Sequence, residues 1–84
     1  MNAVHESTLA ELVWVDPERM NGMACFKGTR VPIETLYDWL AGGYNLEDIL
    51  ENFPTVTKEQ MVALLEWSMA KALEESGALD SFAR

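Results

Sequence analysis

The chain has one cysteine, Cys25, and one histidine, His5. A single cysteine excludes an intrachain disulfide. The two residues together fall short of the nitrogen and sulfur ligand set of a structural zinc site, so no metal or cofactor is expected. Long hydrophobic runs are missing too. No stretch approaches the ~18 apolar residues that span a bilayer. The opening MNAVHESTLAELV has neither the basic start nor the apolar core of an export signal. A lone thiol without such a signal fits a cytoplasmic protein with no membrane partner. Bases are scarce as well: 6 Lys and Arg stand against 14 Asp and Glu, a formal charge of -8. An evenly acidic surface would repel phosphate.

What is present is a short, apolar-rich chain. At 84 residues it forms one domain. A domain of this size buries only about 60% of its unfolded surface, so it is marginal alone. With disulfide and metal excluded, oligomerisation is the remaining support, and 49% apolar residues with three tryptophans suit a homodimer. Charge is unevenly placed: Arg19 to Ile33 holds Arg19, Lys27 and Arg30 and no acid, whereas residues 34–84 hold ten acids against Lys58, Lys71 and Arg84.

Residues 1–10 read as a polar lead-in, and residues 11–32 as a β arm. ELVWVD at 11–16 is rich in strand formers and stops at Pro17. Asn21-Gly22 marks a turn, MACF at 23–26 a second strand, and Gly28 another turn. From Ile33 the apolar period lengthens to 3.6 residues. Ile33, Leu36, Tyr37 and Leu40 form one stripe, giving a helix over 33–41 that Gly42 and Gly43 end. Asn45 caps a short helix over 46–53, closed by Pro54. Thr57 and Gln60 form a capping box and Val56 and Met61 a hydrophobic staple, opening a long helix over 58–75. The apolar arc of that helix spans about half its circumference, wider than a core stripe needs. The body at 33–76 thus has helix-turn-helix topology, and residues 77–84 form a tail. The fold class is mainly α: a short N-terminal β arm followed by three helices.

No constellation in the sequence supports catalysis, and the protein is not expected to be an enzyme. Cys25 and His5 lie in no motif, and FKGT lacks the glycine spacing of a phosphate loop. Candidate DNA contacts are Lys27, Arg30, Lys58 and Gln60, the last two opening the third helix. The other reading makes Lys58 and Gln60 plain helix surface, with Gln60 occupied in capping, and the low basic count favours it. Candidate partner-binding residues are Trp39, Trp67, Lys71, Phe82 and Arg84, because Trp and Arg are typical interface anchors. Trp14, on a strand, is better placed in the core. The tail ESGALDSFAR is either a loose end or a segment that folds on a partner.

The pieces DP at 16–17, Gly22, KGTRVP at 27–32, LAGG at 40–43, LEDILENFP at 46–54 and the Thr57 pattern occur together in order. In this the run 16–70 resembles the domain-of-unknown-function 433 family. It departs from that family's pattern at Met23 to Phe26, where a cation and a proline are replaced. The resemblance implies a homeodomain-like helical body and an antitoxin role, with a PIN-like ribonuclease toxin as partner and the protein's own operator DNA as a further target. It carries no catalytic residues. In KGTR, Gly28 then permits a turn, Thr29 bonds locally, and Arg30 pairs with Glu34 or Asp38 to tie arm to body. A phosphate contact would instead require Arg30 to stay exposed.

Overall fold

A computed structural model describes residues 8–18 and 20–77. The described residues open on one helical turn, α1 (Leu9–Leu12), followed by β1 (Val13–Val15) and β2 (Ala24–Phe26), then α2 (Ile33–Ala41), α3 (Leu46–Asn52) and α4 (Lys58–Ser76). The expected mainly helical fold with a β arm is therefore observed.

The strands pair antiparallel, with Val13 opposite Phe26, Trp14 opposite Cys25 and Val15 opposite Ala24. A bridge from Cys25 to Pro32 flanks β2 on its other side. So β2 is enclosed, while the outer edge of β1 has no strand beside it among the described residues. The two faces of the arm differ. Phe26 is fully buried and joins Leu36, Ile49, Val56, Met61 and Leu64 in a single core. The arm thereby supplies one wall of the hydrophobic centre.

The helix starts follow their caps. Asn45 accepts from the Asp48 N–H at 2.9 Å, and the Asp48 carboxylate accepts from the Asn45 N–H at 3.1 Å. Thr57 and Gln60 make the same exchange at 3.0 and 2.9 Å. Val56 and Met61, the staple pair, are both buried. Gly43 takes φ +98°, the left-handed backbone that ends α2, whereas Gly42 remains right-handed.

The expected strand over 11–16 is corrected at its start. Glu11 and Leu12 belong to α1, because the Glu11 carboxylate accepts from the Thr8 N–H at 3.2 Å and fixes a helical turn. The signal was the capping spacing Thr8-x-x-Glu11, which competes with the strand propensity beyond it. The remainder of the 1–10 lead-in and the tail beyond Gly77 lie outside the described residues.

Candidate functional site

The acid-free segment is built around one buried polar residue. Thr29 is 7% exposed. Its hydroxyl donates to the Phe26 carbonyl at 2.9 Å and accepts from the Val31 N–H at 3.1 Å. The Thr29 N–H also donates to the Phe26 carbonyl at 2.9 Å, closing a tight turn. Gly28 sits in that turn at φ +79°, backbone that a side chain would strain. The Phe26 N–H donates back to the Val31 carbonyl at 2.9 Å.

Two side chains clamp the turn from outside. The Trp14 Nε1–H donates to the Thr29 carbonyl at 2.7 Å. The Gln60 amide donates to the Lys27 carbonyl at 3.0 Å, while its oxygen caps α4. Gln60 therefore has a structural task beyond the capping the sequence suggested: it joins the start of α4 to the KGTR turn. Gln60→Ala removes both bonds and should lower stability by about 1–2 kcal/mol. Urea unfolding measures this, and a loss below about 0.3 kcal/mol would show that water replaces both bonds.

The pairing of Arg30 with Glu34 or Asp38 is not formed. Among the described residues the ion pairs are Lys71 with Glu74 at 3.4 Å and Lys71 with Glu75 at 4.0 Å, all exposed. The Phe26 ring in the core and the Gln60–Lys27 bond hold the arm to the body without a salt bridge, and Arg30 stays exposed. Lys27 donates from its ammonium to the Ala10 carbonyl at 3.3 Å, steadying α1. Lys58 is exposed in the first turn of α4.

Arg30 stands at the rim of a cleft of about 400 Å³ lined by Trp14, Gly28, Thr29, Val31 and Thr55. Trp14 is 40% exposed and so is not the core residue expected. Its bond to Thr29 lays the ring along the cleft wall instead. Sequence reasoning missed this cleft. The available signal was Trp14 together with the box at 28–31, but the spacing does not reveal that the indole reaches across.

The other tryptophans divide. Trp39 packs against the core and meets Tyr44 at 4.8 Å and Phe53 at 5.2 Å between ring centroids. Trp67 is half-buried on α4. The buried residues of α4 are Met61, Ala63 and Leu64, all in its first two turns, and Met69 further along is 50% exposed. Glu66 has one carboxylate oxygen shut from solvent with no hydrogen-bond partner among the described residues. Phe82 and Arg84 lie outside the described residues.

Cys25 is 3% exposed, and burial pushes its thiol pKa up, away from the reactive thiolate. The register sets its side chain on the same face of the arm as Trp14. Trp14→Ala should therefore speed labelling of Cys25 by a thiol reagent about tenfold or more, since accessibility controls the reaction. An unchanged rate would mean that Trp14 does not shelter it. Among the described residues, no group of three or more His, Cys, Asp or Glu could hold a metal ion. No described helix is long and apolar enough to cross a membrane.

The described residues form a small domain of one short helical turn, a two-stranded arm and three further helices. Residues 13–67 match the family described as "Protein of unknown function (DUF433)", and the chain belongs to that family. No curated protein and no solved structure matches the chain.

Proposed function

We propose that this protein is a non-enzymatic, antitoxin-type regulator that binds a protein toxin, a PIN-like ribonuclease, through α4. The supporting observation is the length of α4 beyond its buried first turns. Beyond those turns it presents Met69 to solvent and keeps Trp67 half-buried. Met69 and the half-buried Trp67 are apolar surface that docking against a partner would remove from water. Lys71 and the acids beside it form the polar rim. The choice of a PIN-like toxin comes from the family resemblance, in a cytoplasmic setting.

The protein acts as a homodimer in this reading. The free edge of β1, with Val15 56% exposed, is the surface where two arms would pair. DNA binding is the secondary activity. It is favoured by one observation, that neither Arg30 nor Lys58 is paired with a carboxylate among the described residues. Lys58 and Arg30 would contact phosphate, whereas Gln60 and the Lys27 ammonium already have protein partners. The alternative, a homodimeric interaction module with no DNA role, differs in that outcome alone.

Co-expression with the product of the adjacent reading frame tests the main proposal. The expected result is a stable complex with its ribonuclease activity suppressed, weakened by Met69→Asp. A separate, fully active ribonuclease would refute it. A salt-dependent mobility shift on the upstream DNA separates the regulator from the module.

A further inference from the structure

We infer that the Trp14–Arg30 cleft is a docking site for an extended segment of a partner protein in which an apolar side chain is followed by a carboxylate. This rests on the reading of the protein as a protein-binding regulator, but it places the contact on the arm rather than on α4.

The size is right for one or two side chains: about 400 Å³ falls within the ~300–1,000 Å³ of ligand clefts. The chemistry is divided along the cleft. One wall is the indole of Trp14, whose N–H is already taken by the Thr29 carbonyl, so what remains exposed is carbon. Val31 adds further apolar lining, and Thr55 completes the wall. A partner's Leu or Phe side chain would bury against these groups without stranding a polar atom. Because the indole is held at both the strand and the turn, little freedom is lost when a ligand arrives.

The other feature is Arg30. Its guanidinium is exposed and has no carboxylate partner among the described residues, in a chain of net charge -8. A planar guanidinium at an apolar rim matches a carboxylate through paired N–H donors. Charge also selects between anions. A nucleic-acid strand brings a phosphate at every residue and would draw on Lys58 as well as Arg30. A single carboxylate needs only Arg30. The Lys27 ammonium does not add to the site, since it donates to Ala10.

The test is an NMR titration of the intact protein that follows the indole N–H resonances of Trp14, Trp39 and Trp67. The probes are acetyl-Leu-Asp-Leu-amide, its Lys counterpart acetyl-Leu-Lys-Leu-amide, and a short oligo-dT. The expected result is a saturable shift of the Trp14 resonance with the Asp peptide and no shift of Trp67. Arg30→Gln should weaken that binding about tenfold, the loss of one charge-assisted contact, whereas Lys58→Gln leaves it unchanged. Among the described residues Arg30 touches no acidic partner, so its replacement leaves the structure intact. Equal binding of the Lys peptide, an unchanged affinity of Arg30→Gln, or a Trp14 shift with oligo-dT alone would each overturn the inference. A toxin complex that forms equally well with wild type and Arg30→Gln, alongside no peptide binding, would sink the cleft while leaving the α4 reading standing.

Discussion

Phe26→Ala should leave the protein largely unfolded at room temperature. Phe26 is the fully buried aromatic of the core, and it comes from the arm rather than from a helix. Removing a buried phenyl ring costs about 3–5 kcal/mol. A domain of this length has a total stability of roughly 4–13 kcal/mol. The loss is therefore comparable with the whole at the lower end. Collapse around the cavity is restricted, because the Phe26 backbone is bonded through both its N–H and its carbonyl to the turn behind it. Urea unfolding monitored by circular dichroism gives the number. Met69→Ala, at a site 50% exposed, is the internal comparison and should change stability by no more than about 0.5 kcal/mol. A Phe26→Ala loss no larger than that of Met69→Ala would mean the arm is an appendage and the helices fold without it.

The second large effect is expected at Thr29→Val. The replacement keeps the shape and removes the hydroxyl. The Val31 N–H then loses its acceptor in a part-buried setting, and the Phe26 carbonyl keeps only one donor, the Thr29 N–H. An unsatisfied buried donor costs about 1–3 kcal/mol. Thr29→Ser retains the hydroxyl and should recover most of that. The Trp14 indole N–H resonance is a second readout, because its acceptor is the Thr29 carbonyl. A Val variant as stable as the Ser variant would show that the hydroxyl network is incidental. Both outcomes bear on the same question, what holds a short arm of two strands in place. The structure answers with the Thr29 hydroxyl, the bonds from Trp14 and Gln60, and one buried ring, not with the Arg30 ion pair.

The helices were legible in the sequence because their signals are local. The stripe at Ile33, Leu36, Tyr37 and Leu40 and the caps at Asn45 and Thr57 act within a few residues, and α2 to α4 begin and end within a residue of the expected positions. The cap at Thr8 is equally local and was legible in principle, but the strand formers at 13–15 drew the boundary too early. The site behaved differently. Lys27, Arg30, Lys58 and Gln60 form one chemical class on paper. In the structure Gln60 holds the turn, Lys27 holds α1, and Arg30 and Lys58 remain exposed.

By itself the sequence determined the mainly helical fold, the helix boundaries and the acid-free arm, since periodicity, capping and charge are properties of neighbours along the chain. Which tryptophan meets the core, which cation stays free and where a cleft opens were decided only by the tertiary structure. Trp14 meets Thr29 fifteen positions away and Gln60 meets Lys27 thirty-three away. The first depends on how the arm folds back on itself and the second on how it packs against α4, and no local pattern encodes either distance.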